Sequence, residues 1–309
     1  MQKILFIKHG ALGDFILALG QMQALVARHA KDDITLITTS VFHDMAMQTG
    51  FFKSVVIDNR ERLNLKTYYE ISRLIARSGF DVVYDLQKSR RTRKKYFTLV
   101  RLFLKKPMLW RYVDGDRLIT KHLTPRFGPF LAKVTQTEEP FSSDPSDLTF
   151  MRGTEKNFGQ LPEKFLLFFP GCSPKHPYKR WSPDNYIALA KRAAMRNVAC
   201  VVAGTGEERE VIEKICRGSG AVNFMDKASL FDIPALARRS LAVVGNDTGP
   251  AHMASYTAPL SVLMFSKITE ASAKKFSVDG VRYMIGEHID DTTPEAVWDI
   301  LKTKIPQFE

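Results

Sequence analysis

Residues 241–254 combine a buried apolar run with a short polar turn that could bind an anion. Asp247, Thr248 and Gly249 follow the apolar run, and Pro250 fits the start of a helix, where its missing N–H costs nothing. The first backbone N–H groups of that helix and the Thr248 hydroxyl would point beyond the strand end, where phosphate is favoured. The turn therefore predicts a phosphate site, although Asp and Thr are also ordinary helix caps.

Asp14 is a candidate for removing a proton. It comes after the apolar run 3–7 and a Gly-containing turn, and before an apolar-periodic helix that we expect over residues 15–29. The carboxyl ends of strands form the ligand side of an open α/β sheet, so this carboxylate could be a general base. A plain helix N-cap is the alternative. Neither a dinucleotide fingerprint nor a P-loop is present.

Residues 86–113 contain no acidic residue. Apolar residues recur at helical spacing from Phe97 to Leu104, which predicts a basic amphipathic helix. Its cations could meet phosphates or anionic lipid, or could simply be solvated. The basic residues are Lys88, Arg90, Arg91, Arg93, Lys94, Lys95, Arg101, Lys105, Lys106 and Arg111.

The order of predicted elements positions these candidates. Short apolar runs alternate with helical patterns along the chain, which predicts parallel, doubly wound sheets. The first series of runs is at 3–7, 34–38, 54–58 and 81–85, and the second is at 165–169, 198–202, 241–244 and 260–265. A polar stretch near 153–162 separates the two series. We therefore expect domains at 1–158 and 159–309. The final helix, about 292–305, is a candidate to pack back on the N-terminal domain.

Composition narrows the class of protein. The chain has 309 residues and 45% apolar content, enough for a substantial core, and no apolar run long enough to span a membrane. Its three cysteines show no metal-site or disulfide pattern, so we expect a cytoplasmic protein. A net charge of +12 indicates an anionic partner, which could be nucleic acid, a membrane surface or a phosphorylated substrate.

Together these motifs resemble family 9 glycosyltransferases, the ADP-heptose:lipopolysaccharide heptosyltransferases of Gram-negative bacteria. Residues 245–252, Gly-Asn-Asp-Thr-Gly-Pro-Ala-His, closely match the D-T-G-x-x-H signature of that family. Supporting matches are residues 8–14, the triplet Lys-Arg-Trp at 179–181, and Gly-Thr-Gly-Glu-Glu at 204–208. The match is poorest over residues 86–160, where the family recognises its acceptor.

The resemblance implies the GT-B fold, with two Rossmann-like domains facing each other across a cleft. The N-terminal domain would bind the acceptor and the C-terminal domain the nucleotide-sugar. Transfer would invert the anomeric carbon, with Asp14 as the base. The family pattern implies donor contacts from Ser173, Lys179, Glu208, Asp247, Thr248, Gly249 and His252.

Further expectations concern the partners. The donor would be an ADP-sugar and the acceptor an anionic lipopolysaccharide-type molecule at the cytoplasmic face of the inner membrane, with no nucleic acid bound. Lys175 is a competing phosphate lysine. Because a lysine and a helix start would meet the leaving-group charge, we expect no metal and no cofactor. The acceptor contacts would come from Lys88, Arg90, Arg91, Arg93 and Lys94.

Two other functions remain open. A GT-B-shaped sugar-nucleotide epimerase or hydrolase would share the donor site but would have no use for a basic acceptor surface. A nucleic-acid-binding module would explain the basic stretch, since such stripes bind phosphate backbones, but would leave residues 245–252 unexplained. The spacing Asp114-Gly-Asp116 is that of metal-dependent transferases, but we interpret it as a turn.

Overall fold

The computed structural model describes residues 1–60, 65–87, 89–125, 132–142, 144–153, 158–173, 175–273 and 279–308. The chain divides into two compact units, Met1–Ser146 and Asp147–Glu309. The sequence places this boundary later, at 158/159. No helix within the described residues is long and apolar enough to cross a membrane.

The first unit contains a mixed sheet with strand order β3-β2-β1-β4-β5-β6-β7. Strands β1 to β5 are parallel, and β6 and β7 are added antiparallel at one edge. The strands are β1 (Lys3–Ile7), β2 (Asp33–Thr38), β3 (Ser54–Ile57), β4 (Val82–Asp85), β5 (Met108–Asp114), β6 (Arg117–Thr124) and β7 (Lys133–Pro140).

Helices connect the parallel strands of this unit, as expected for βαβ connections. One face of the sheet packs on the helix that follows β3 and on the helix that follows β4, and the core includes Ile75, Tyr96 and Trp110. The helices are α1 (Leu12–Arg28), α2 (His43–Gln48), α3 (Leu65–Arg77) and α4 (Phe97–Phe103), the last preceded by a π-helical turn (Arg91–Tyr96).

The second unit contains a parallel sheet with strand order β10-β9-β8-β11-β12-β13. Strand β8 consists of five buried apolar residues, typical of an interior parallel strand. The strands are β8 (Phe165–Phe169), β9 (Ala199–Val202), β10 (Val222–Asn223), β11 (Ala242–Asn246), β12 (Ser261–Ser266) and β13 (Val281–Gly286).

Capping residues define two helix starts of this unit. Ser182 accepts a hydrogen bond from the Asp184 N–H with Pro183 next to it, and Thr293 accepts one from the Ala296 N–H. The helices are α5 (Pro183–Ala194), α6 (Arg209–Ser219), α7 (Asp232–Arg239), α8 (Gly249–Ser255), α9 (Glu270–Ala273) and α10 (Pro294–Lys302).

The structure confirms the predicted α/β class and corrects several details. Strand β5 and the antiparallel strands β6 and β7 were not expected. Asp114 ends β5, and Asp116 lies in the hairpin turn between β5 and β6. Residues 148–151 form a turn, closed by a hydrogen bond from the Met151 N–H to the Leu148 carbonyl. The final helix packs in the core of the second unit, where Trp298 lies with Tyr186, because its apolar stripe matches the face of α5.

Candidate active site

Asp247 is the centre of a buried polar cluster in the second unit. It follows β11, and its carboxylate accepts a hydrogen bond from Lys179 Nζ at 2.6 Å and contacts His252 Nε2 at 2.8 Å. Burial alone would raise the pKa of Asp247, but the hydrogen bonds from His252 and Lys179 outweigh it and lower the pKa. The structure therefore brings together three of the predicted donor-binding residues, with Lys179 and His252 beside the ionised carboxylate of Asp247.

Asn246 positions the loop that carries Lys179. Its side chain is fully buried, accepts hydrogen bonds from the Trp181 N–H and the Tyr186 hydroxyl, and donates to the Pro170 carbonyl at 2.7 Å. Trp181 is in turn fixed because its indole N–H donates to the Thr292 carbonyl. Sequence reasoning did not single out Asn246, although it lies between Gly245 and Asp247 in the most specific motif.

Glu208 lies close to the same strand ends. A Cβ at Gly171, which follows β8, would come within 2.6 Å of the Glu208 side chain, so the absent side chain makes room for this carboxylate. One Glu208 oxygen accepts hydrogen bonds from the N–H and hydroxyl of Thr205, a capping box at the start of the next helix. Glu208 is thus held beside the turn after β8, and its proposed ribose contact stays a prediction.

The other predicted donor-binding residues are close to Lys179 and Asp247 in the sequence. Ser173 is exposed in the loop after β8, and Thr248 precedes α8 without a side-chain capping bond. Gly249 begins that helix. Within the described residues, no group of three or more His, Cys, Asp or Glu side chains is placed to hold a metal ion. The expected independence of metal and cofactor is not decided by this and stays a prediction.

Asp14 lies in the first unit, at the start of α1. The helix begins three residues earlier than expected, with Ala11 as the N-cap, so Asp14 is in the first helical turn. It is exposed, and the cap position is occupied by another residue. A carboxylate in a first turn is stabilised by the helix dipole. The alternative that Asp14 is only an N-cap therefore has no support from this geometry.

The basic residues of 86–113 divide into two groups. Arg90, Arg93 and Lys94 are exposed, and Arg93 lies 5.0 Å from the centre of the Tyr112 ring. Others are held by the protein itself: Lys106 pairs with Asp81, for example. Lys88 lies outside the described residues. The exposed group is the part of this stretch that can meet an acceptor.

Arg91 belongs to the second group. Its guanidinium donates to Asp58 Oδ1 at 2.9 Å and to the Tyr96 hydroxyl at 2.8 Å, and only 11% of its side chain is exposed. Arg91 is the first residue of the π-helical turn, and from there its side chain reaches Asp58. The structure thus places Arg91 inside the unit, and we leave it out of the proposed acceptor surface.

Asp58 is a further buried carboxylate, which sequence reasoning missed. It follows β3, and besides Arg91 it interacts with His9 Nε2 at 2.8 Å, the Tyr96 hydroxyl and the Arg60 N–H. Burial alone would raise its pKa, but the hydrogen bonds from His9 and Tyr96 outweigh it and lower the pKa to about 2. One sequence feature could have paired them: His9 and Asp58 both lie at the carboxyl ends of predicted parallel strands, which meet at the same edge of a sheet.

Comparison with known proteins finds a family model that matches the part of the chain containing the Asp247 cluster. Residues 129–260 match the model of glycosyltransferase family 9 (heptosyltransferase). The chain resembles glycosyltransferase family 9. Its predicted class, a glycosyltransferase, is thereby confirmed. The matched segment contains Ser173, Lys179, Glu208, residues 247–249 and His252, whereas Asp14 and the exposed cations lie outside it.

Solved structures show the same fold. The E. coli ADP-heptose lps heptosyltransferase II has a TM-score of 0.67 and 17% identity, with 99% of each chain covered. The E. coli heptosyltransferase WaaC, solved with ADP, has a TM-score of 0.69 and 14% identity over 98% of this chain and 99% of that one. The sequence matches none of the curated proteins with which it was compared. The GT-B fold implied by the family 9 resemblance is confirmed.

An enzyme of another class has a similar fold. A putative UDP-N-acetylglucosamine 2-epimerase from Listeria monocytogenes has a TM-score of 0.56 and 12% identity, over 99% of this chain and 89% of that one. The fold alone therefore does not separate transfer from epimerisation. The family 9 match over the donor residues favours transfer.

Proposed function

We propose that this protein transfers a heptose from ADP-heptose to an anionic, lipopolysaccharide-type acceptor, with inversion at the anomeric carbon. The observation that carries the proposal is the Lys179–Asp247–His252 cluster within the segment that matches family 9. The structural neighbours include heptosyltransferase WaaC solved with ADP and with ADP-2-deoxy-2-fluoro heptose, which supports the choice of donor.

Lys179 would bind the diphosphate of the donor. Its side chain is 21% exposed, and its Nζ is held by Asp247 in a defined position. An ammonium fixed in this way can donate hydrogen bonds to phosphate oxygens without a large loss of side-chain freedom, because the protein has already ordered it. Thr248 and Gly249 would add donors, and Glu208 would accept the ribose hydroxyls.

Asp14 would act as the general base. Inversion requires removal of the proton from the acceptor hydroxyl while the nucleoside diphosphate leaves from the opposite face of the sugar. An exposed carboxylate at the carboxyl end of β1 is chemically suited to this step. Lys179 would meet the negative charge that develops on the leaving ADP, so that step needs no additional cation in this proposal.

The acceptor would be held by the exposed cations Arg90, Arg93 and Lys94. Leu65 and Leu102, which are 76% and 45% exposed on α3 and α4, add apolar surface to the same unit. Exposed apolar side chains together with cations are typical of surfaces that meet anionic lipid. The cytoplasmic face of the inner membrane is therefore part of the proposal.

Nucleotide preference tests this function. In a thermal-shift panel of ADP, UDP, GDP and CDP at equal concentration, we expect ADP to raise the melting temperature most, because the ligand with the lowest Kd stabilises the folded state most. A ligand at 100 times its Kd stabilises by about 2.7 kcal/mol. A preference for UDP would favour the epimerase alternative instead. The panel is completed by incubating the protein with ADP-heptose and heptose-deficient lipopolysaccharide, where we expect release of ADP only when both are present.

A further inference from the structure

The turn that precedes Asp14 is held on several sides by polar contacts. The His9 N–H donates to Gln87 Oε1 at 2.9 Å, and the His9 carbonyl accepts from the Thr39 hydroxyl at 3.2 Å. The His9 imidazole is fully buried and contacts Asp58 Oδ2 at 2.8 Å. The backbone and the side chain of His9 are therefore both tied to residues beyond the neighbouring strand ends.

The segment that carries the exposed cations is tied to the same carboxylate. Tyr96 donates its hydroxyl to Asp58 Oδ2, and Arg91 donates to Asp58 Oδ1 and to the Tyr96 oxygen. The Arg91 guanidinium also lies 4.1 Å from the centre of the Tyr68 ring on α3. Arg91 and Tyr96 bracket Arg93 and Lys94 in sequence, so this anchor fixes where Arg93 and Lys94 lie within the first unit.

We propose that Asp58 is a positioning residue that fixes the Asp14 turn and the cation-bearing π-helical turn relative to each other. This inference rests on the proposed function, because it gives Asp58 a role in placing the acceptor hydroxyl at the base. Asp58 touches neither substrate directly in this account. It acts through His9 on one side, and through Arg91 and Tyr96 on the other.

The chemistry of the network supports a positioning role. Each oxygen of Asp58 meets two partners, His9 and Tyr96 at Oδ2, and Arg91 and the Arg60 N–H at Oδ1. Directional hydrogen bonds from separate segments define one arrangement, whereas apolar contacts of the same volume tolerate small shifts. Proton abstraction depends on such placement, since a misplacement of about 1 Å can cost on the order of 10²-fold in rate.

Asp58→Asn keeps the shape of the side chain but turns one acceptor oxygen into a donor. Tyr96→Phe removes two hydrogen bonds, the one that its hydroxyl donates to Asp58 and the one that it accepts from Arg91, and leaves the buried ring in place. Asp81→Asn is the matched control, because Asp81 is also an Asp of the first unit beside a strand and also pairs with a cation, Lys106. For all variants, we would measure kcat, KM for the donor, and amide hydrogen exchange of the full chain.

We expect Asp58→Asn to lower kcat by roughly 10²-fold and Tyr96→Phe by a smaller factor, with KM for ADP-heptose unchanged in both. Hydrogen exchange should become faster in residues 8–14 and 90–96 together, and the Asp81→Asn control should match the wild type. If Asp58→Asn does not fold, Tyr96→Phe carries the same test.

The proposal is overturned if both segments exchange faster while kcat is unchanged, since Asp58 would then be structural only. It is also overturned if the two segments respond independently. If the wild type transfers no sugar from any nucleotide donor, the proposed function fails. In that case the exchange measurement still decides whether Asp58 links the two segments.

Discussion

The two units each contain an aspartate that contacts a histidine and a basic side chain beyond the end of a parallel strand. In the first unit, the side chains of Asp58 and His9 are fully buried and the Arg91 side chain is 11% exposed. In the second unit, Asp247 is 5% exposed and its partner Lys179 is 21% exposed. The same combination of residue types is closed to solvent in one unit and partly open in the other.

This difference separates a framework from a candidate binding site. The Arg91 guanidinium is used by Asp58, Tyr96 and the Tyr68 ring, which leaves little of it for a ligand. A lysine ammonium has three donors, so Lys179 can keep its bond to Asp247 and still donate to phosphate oxygens. Exposure of the cation, more than the residue types of the cluster, makes the Asp247 cluster the candidate donor site.

The largest expected effect is on stability, at Asp58. Asp58→Ala leaves the buried Arg91 without its carboxylate, and breaking a buried pair in this way costs about 3–5 kcal/mol. Asp247→Ala should cost less, about 1–3 kcal/mol, because Lys179 can reach solvent. Denaturant unfolding, with hydrogen exchange of strand amides assigning the loss to a unit, would compare the two. Equal losses would remove the distinction between a closed and an open cluster.

The next effect is on donor binding, at Lys179. Lys179→Ala should weaken ADP binding by about 1.5–3 kcal/mol, the usual cost of a lost hydrogen bond to a charged group. Lys175→Ala is the comparison, because Lys175 is exposed in the same loop. Isothermal titration of both variants with ADP decides between them. A larger loss at Lys175 would move the phosphate site away from Asp247.

Low pH should remove the stability that the buried Asp58 cluster contributes. The pKa of Asp58 is lowered to about 2, so its ionised form contributes stability that is present above its ordinary pKa of 3.8 and is lost as the pH falls toward 2. The wild type should therefore lose on the order of 2 kcal/mol of its advantage over Asp58→Asn as the pH falls from about 5 to about 2. Urea unfolding at several pH values would measure this. A pH-independent difference would contradict an ionised, hydrogen-bonded Asp58.

The smallest expected effect is at the exposed cations. Reversing Arg93 and Lys94 to Glu should weaken acceptor use while leaving ADP binding unchanged, and high salt should reduce the difference from the wild type, because exposed charges are screened. Each exposed contact is worth about 1 kcal/mol or less. A control with the same change in net charge reverses Lys191 and Arg196, which are exposed in the second unit. Equal effects in both variants would indicate net charge rather than a specific surface.

Much of the fold could be predicted because its interior strands are continuous apolar runs. The strands Lys3–Ile7 and Phe165–Phe169 have the same bounds in sequence and structure. The strand Lys133–Pro140 could not be predicted, since it is an edge strand with almost every side chain exposed and so has no buried alternation. Its antiparallel pairing with Arg117–Thr124 depends on tertiary contacts.

The site could be predicted only in part. The resemblance to family 9 implied Lys179, Asp247 and His252 one by one, and the structure shows that Lys179 and His252 both contact Asp247. Asp58 and Arg91 were not paired by sequence, because they are separated by more than 30 residues and only the folded chain brings them together. From sequence alone, a run of basic residues is predicted to lie on the surface, and only the structure shows which of its cations are paired inside the protein.

The central claim, that this protein is a glycosyltransferase with Asp14 as its base, is tested most directly by the rate of sugar transfer in Asp14→Asn. Asn is nearly isosteric with Asp and cannot accept the proton, and the N-cap of α1 is Ala11, so the fold should be retained. We expect unchanged affinity for the ADP-sugar and a transfer rate lower by roughly 10²-fold or more. Transfer at nearly the wild-type rate by the folded variant would contradict the account.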